Sequence, residues 1–225
     1  MRRDLAEAIV AARAARRPVA LLTWLATGAQ RLAAPGDDAG LGDVLADAFR
    51  RDHSGTVETP DGELFIRVYN PPLRMIVIGA VHTAQYLVPL AKMGGYDVTI
   101  VDPRTAFAAD ARFPDMRLIA QWPDEVLPDL RLDARTAVVA LTHDPKIDDV
   151  ALGLALASDA FYIGALGSTR THAKRRDRLR TQGVAEAALG RIHAPIGLDI
   201  GAQGPAEIAL SIMGQVTAVL RGKAG

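Results

Sequence analysis

Cysteine is absent from these 225 residues, which excludes disulfides, thiolate nucleophiles, cysteine-ligated iron–sulfur clusters and cysteine zinc sites in this chain. An excess of charge is missing as well. Lys plus Arg and Asp plus Glu both number 26, so nothing in the balance drives binding to nucleic acid. No apolar run is long enough to cross a bilayer. The opening stretch MRRDLAEAIVAARAARR interrupts its apolar residues with Asp4, Glu7, Arg13, Arg16 and Arg17, and this spacing predicts an amphipathic helix rather than a signal peptide. Repeats and low-complexity stretches are lacking too. A cytoplasmic protein with no membrane span and no nucleic-acid partner is the expectation.

What is present is apolar material, 49% of the residues, enough for a full core in one large and one small domain. Val19 to Leu25 and Gln30 to Ala33 flank Ala26-Thr27-Gly28-Ala29, predicting a hairpin, and Leu41 to Arg50 has helical spacing. In Glu58 to Asn70, Pro60-Asp61-Gly62 is a turn signal and Phe65, Arg67 and Tyr69 alternate with Ile66 and Val68. Residues 1–72 are thus expected to form a small α+β domain. Pro71-Pro72 disfavours helix and marks the boundary.

Residues 73–225 alternate strand and helix, which predicts a Rossmann-like, doubly wound parallel sheet. The segment RMIVIGAVHTAQYLVPLAKMGGYDVTIVD, Arg74 to Asp102, carries the strongest signal. Met75 to Ile78 suits a strand buried on both faces, Gly79 lets the chain turn, and the helix that follows offers unpaired N–H groups to an anion. Asp102 falls where such folds place a carboxylate for a ribose. The glycine fingerprint, however, reads Gly79, Ala80, Val81, His82, Thr83, Ala84. Val81 puts a branched side chain where a pyrophosphate approaches the backbone, which argues against ordinary NAD or NADP binding. Further strands are expected at Met116 to Ala120, Ala137 to Leu141 and Phe161 to Leu166, and helices at Ile147 to Ser158, Thr169 to Gln182 and Pro205 to Arg221.

Ligands of open parallel sheets bind beyond the carboxyl ends of the strands. The polar residues there are Gly79 and His82, Asp102 and Arg104, then Thr142, His143 and Asp144, then Gly164, Gly167, Ser168 and Arg170. Asp102 could equally be a turn cap before Pro103. His143 beside Asp144 offers a general base with its orienter, yet neighbours in sequence rarely point the same way, and loop and cap roles are the simpler account. Gly164-Ala165-Leu166-Gly167-Ser168 suggests a flexible turn into a basic helix, with Arg170, His172, Lys174, Arg175 and Arg176 near a phosphate. Arg176 and Arg178 fit a solvated charged face. In RIHAPIGLDIG, Arg191, His193 and Asp199 sit among glycines. A metal site of His82, His143, His193 and Asp199 lacks any pair at i, i+4 spacing, so no metal ligands are assigned.

The strings GAVHTAQYLVPLA, TIVDPRTAFA-x-x-ARFPD, ALTHDPKIDD, FYIGALGSTRTHAKRRDRL and RIHAPIGLDIGAQGPAEIALSI resemble the XdhC/CoxI family of accessory proteins of xanthine dehydrogenase and related molybdenum hydroxylases. The resemblance covers most of residues 73–222. It implies a maturation chaperone, not itself an enzyme, that binds molybdenum cofactor (molybdopterin), protects it during sulfuration and delivers it to the apoenzyme. The implied partners are that apoenzyme, a cysteine desulfurase or a second XdhC-like subunit, and a homodimer is compatible with it. The expected cofactor-binding residues are Gly79, His82, Asp102, Arg104, Thr142, His143, Gly164, Gly167, Ser168 and Arg170. Longer members carry an N-terminal Gly-Gly-Cys segment that this chain lacks, which places sulfur chemistry outside its own side chains. The competing expectations are a nicotinamide-dependent oxidoreductase and a nucleotide-sensing regulatory module.

Overall fold

The structure, a computed structural model, describes residues 2–37, 40–104, 112–114 and 116–223. Met1–Pro71 and Pro72–Gly225 form two compact units. The first contains α1 (Arg3–Ala14), β1 (Val19–Trp24), β2 (Gln30–Ala33), α2 (Gly42–Arg51), β3 (Gly55–Thr59) and β4 (Gly62–Tyr69), with its strands antiparallel in the order β2-β1-β4-β3. The apolar run in β1 is continuous because both its faces are covered. Ala20 and Leu22 pack with Leu45 and Phe49 of α2, whereas Val19 and Leu21 pack with Ile9 and Ala12 of α1.

The second unit runs β5 (Arg74–Ile78), α3 (His82–Met93), β6 (Asp97–Val101), β7 (Arg117–Ile119), α4 (Pro123–Leu130), β8 (Thr136–Ala140), α5 (Pro145–Leu156), β9 (Tyr162–Ala165), α6 (Thr169–Thr181), α7 (Glu186–Leu189), β10 (Ile192–His193) and α8 (Pro205–Leu220). Its sheet is parallel throughout, in the order β10-β9-β8-β5-β6-β7. The expected Rossmann-like architecture is therefore observed, beside a smaller antiparallel sheet. Strand periodicity divides the core: Met75 and Val77 face α3 and α8, and Ile76 and Ile78 face α4 and α5. Pro89 lies inside α3, where an interior proline costs about 3 kcal/mol. Burial of Leu87 and Val88 on that helix, at about 1.5–3 kcal/mol each, offsets the loss.

Three details differ from the sequence expectations. The short third strand covers Arg117–Ile119 only, while β10, α4 and α7 were not anticipated. Helix α4 hides behind two prolines; Pro123 occupies its first turn, where no N–H is needed, and the Glu125 carboxylate accepts from the Trp122 amide at 3.2 Å. Gly164 belongs to strand β9, as the expected strand Phe161 to Leu166 has it, so the flexible turn expected from Gly164 begins only after Ala165. A side chain on Gly164 would collide with Ile196 Cδ1 at 2.6 Å and with the Tyr162 ring at 2.7 Å, so the glycine serves close packing within the sheet.

Candidate functional site

Sheet order reverses at β5, whose neighbours β6 and β8 lead the chain outward in opposite directions. The crevice of such a fold opens at the carboxyl ends of these two central strands. Gly79 ends β5 with φ +108°, a backbone conformation open to glycine, and it abuts Thr142 after β8. The following residue is held on both sides. The Ala80 amide donates to Asp102 Oδ2 at 2.8 Å, and Arg112 Nη1 donates to the Ala80 carbonyl at 2.9 Å. The first amide of the turn is thus already engaged by the protein's own carboxylate.

Asp102 is fully buried. Besides Ala80 it accepts from the Arg104 amide at 3.0 Å, Arg104 Nε at 2.9 Å and Arg104 Nη2 at 2.8 Å. Burial pushes its carboxyl up, and the Arg104 guanidinium and amide together with the Ala80 amide outweigh that and hold it below the ordinary carboxylate value. Four donors fill the acceptor positions of both oxygens. The geometry is that of a carboxylate fixing the turn and the Arg104 fork. Arg112, which lies in the string ARFPD that helps carry the resemblance but was not named there as a site residue, is the second arginine on this turn. Helix α3 starts at His82 with no side-chain cap at Val81, and in its first turn the Ala84 amide donates to the Val81 carbonyl at 3.1 Å; His82 is exposed and its ring lies 5.4 Å from Tyr86.

The loop after β8 is organised by Asp148, 1% exposed, which the sequence did not single out. Its carboxylate accepts from the Thr142 hydroxyl at 2.7 Å, the His143 amide at 3.0 Å and the Thr142 amide at 3.3 Å. Burial pushes the Asp148 carboxyl up, against the pull of Thr142 and Arg175. This clamp holds His143 at φ +65°, unusual for a residue with a side chain. Asp144 caps α5, its Oδ1 accepting from the Lys146 amide at 2.9 Å. No hydrogen bond between the His143 and Asp144 side chains occurs among the described residues.

After β9, Gly167 turns at φ +131° with Thr171 packed against it, and Ser168 caps α6 by accepting from the Thr171 amide at 3.3 Å. Arg170 projects from the first turn, exposed. Beside it opens a cleft of about 140 Å³ lined by His143, Asp148, Asp149, Lys174, Arg175 and Arg178 as well. The basic face of α6 is less uniform than its sequence suggests. Arg175 is 2% exposed and donates to the Leu166 carbonyl at 3.0 Å. Arg178, expected on a solvated face, grips buried Asp149 in a two-pronged pair, and Arg176 meets Glu186 at the surface.

The string after β10 divides by role. Arg191 donates to the carbonyls of Leu156, Ser158 and Ala160 at 2.8–3.0 Å, closing the end of α5. His193 stacks on Tyr162 at 4.8 Å and 8°, and burial keeps its ring toward the neutral form. Asp199 lies on the exposed rim of a separate cleft of about 460 Å³ lined by Leu166, Ile196, Leu198 and Ile208. Among the described residues no group of three or more His, Asp or Glu is placed to hold a metal ion. No helix there is long and apolar enough to cross a membrane.

Residues 75–216 match the family model of the XdhC Rossmann domain. The chain is 31% identical over 154 residues to a probable xanthine dehydrogenase subunit of Bacillus subtilis (strain 168), spanning 68% of this chain and 44% of that protein. It is 31% identical over 151 residues to the molybdenum cofactor insertion chaperone PaoD of Escherichia coli (strain K12), spanning 67% and 41%. The chain thus covers less than half the length of these curated relatives. A crystal structure described as a xanthine dehydrogenase from Bacillus halodurans shares the fold, with a TM-score of 0.68 at 24% identity over 99% of this chain and 65% of that one.

Proposed function

The chain belongs to the XdhC family, and on that premise we propose that it binds molybdenum cofactor and passes it to the apoenzyme of a molybdenum hydroxylase of the xanthine dehydrogenase type. The observation that carries this reading is the donor set around the β5–β8 crevice. Arg104 and Arg112 are fixed to the Gly79–Asp102 turn, α3 has no side-chain cap at its start, and Arg170 lies exposed in the first turn of α6, after β9. These groups suit an anionic ligand, and the molybdopterin phosphate is one. The Ala80 amide is occupied by Asp102 and Val81 stands at the second position of the fingerprint, which disfavours the close pyrophosphate approach of a dinucleotide.

When bound, the cofactor supplies the molybdenum redox chemistry of the enzyme that finally receives it. This chain's residues bind and orient. Gly79, Thr142 and Gly167 shape the crevice floor, His82 and His143 flank it, and Ser168 and Arg170 lie toward the phosphate. No acid–base pair is assigned, so the protein is read as an accessory protein rather than an enzyme. The test is mass spectrometry of the small molecules that copurify with the chain from cells making molybdenum cofactor. A pterin is expected; nicotinamide dinucleotide in its place would favour the oxidoreductase reading.

A further inference from the structure

We propose that the cleft between α5 and α6 is a binding site for a tetrahedral oxyanion, a phosphate monoester or its inorganic counterpart, held by Arg170 and Lys174 above the buried guanidinium of Arg175. Its volume of about 140 Å³ equals that of about four or five water molecules at about 30 Å³ each. This is room for a tetrahedral oxyanion. Four cations and two carboxylates line it, so positive charge is in excess. Lys174 lies one helical turn after Arg170 on the same face, and neither has an ion-pair or hydrogen-bond partner among the described residues.

The floor of the cleft supplies the second observation. Arg175 is 2% exposed, yet its Nε and Nη1 have no hydrogen-bond partner among the described residues. The nearest carboxylate oxygens stand at 3.7 Å on Asp148 and 3.8 Å on Asp149, too far for hydrogen bonds. Both carboxylates are committed elsewhere, Asp148 to Thr142 and His143 and Asp149 to Arg178. A buried cation left short of acceptors is costly, and an anion seated above it relieves that cost. Asp148 also ties this cleft to the crevice, because the Thr142 hydroxyl it accepts from belongs to the residue packed on Gly79. The inference stands on the cleft's own charge and does not require the cofactor assignment.

The test is calorimetric titration of the purified chain with inorganic phosphate at constant ionic strength, with sodium chloride as the control. One phosphate per chain is expected. Lys174→Glu and Arg170→Glu should each weaken it by more than about tenfold, as for loss of a charge-assisted bond. Both positions are exposed, so a thermal melt should show the fold retained. Arg175→Met should abolish binding, but the surface variants decide the matter if it does not fold. Heat no different from chloride, or phosphate affinity unchanged in both Glu variants, would overturn the proposal. Addition of molybdopterin then separates the two sources. Displacement of phosphate assigns the cleft to the cofactor's own phosphate group, and retention assigns it to a free oxyanion. A chain that takes phosphate yet ignores molybdopterin would refute the cofactor reading and leave the oxyanion site standing.

Discussion

Thr142 occupies the space that a side chain on Gly79 would need: a Cβ there would lie 2.6 Å from Thr142 Cγ2. Rotating Thr142 away would break its hydroxyl bond to Asp148, and φ +108° at Gly79 strains any residue with a Cβ. Gly79→Ala is therefore expected to destabilise the chain by about 2–4 kcal/mol, read from the denaturant midpoint. Thr142→Ser in the same chain removes Cγ2 and should recover part of the loss, leaving the backbone strain. Full stability in Gly79→Ala would show that the switch point is looser than described.

Asp102 and Asp148 should shift stability with pH in opposite directions. Asp102 is held below its ordinary value of 3.8 by Arg104 and Ala80, so its contribution is present above that value and lost as pH falls through the folded value. Asp148 is pushed above 3.8 by burial. Its folded form binds the proton more readily, so its contribution is largest at low pH and is lost as pH rises through the window above 3.8. Unfolding free energies between about pH 2 and pH 6 test this. Asp102→Asn should flatten the acid loss of stability, and Asp148→Asn should steepen it.

Arg191→Met should cost about 2–4 kcal/mol through the lost bonds to the Leu156, Ser158 and Ala160 carbonyls. Ligand binding measured under stabilising conditions should be unchanged. A variant that melts normally but fails to bind ligand would place Arg191 in the site.

The parallel sheet was legible because its central strands are buried on both faces, so Met75 to Ile78 and Ala137 to Leu141 appear as unbroken apolar runs bounded by turn residues. Strand β10 pairs through two residues only, too short to leave a pattern. The roles of single residues were harder to see, since what a side chain meets is decided by tertiary packing. Gly164 looks the same in sequence whether it turns or makes room for Ile196. Arg175 did leave a signal: it lies one helical turn before Leu179, the large apolar anchor of α6, and so shares its buried face. The run of basic neighbours concealed it. Asp148 was concealed as a first-turn acid of α5, where carboxylates are common whatever they bind.

Arg170→Ala should weaken pterin binding by roughly 1.5–3 kcal/mol, the worth of one charge-assisted hydrogen bond. Arg170 is exposed, so the melting temperature should not move. An equal fall in stability and affinity would make Arg170 a structural residue.

The most direct measurement is competition on one sample, with the purified chain titrated with molybdopterin or molybdenum cofactor in the presence and absence of NAD and NADP. Binding of the pterin, undisturbed by either dinucleotide, is the expected result. Micromolar NAD affinity with no detectable pterin binding would contradict the delivery role.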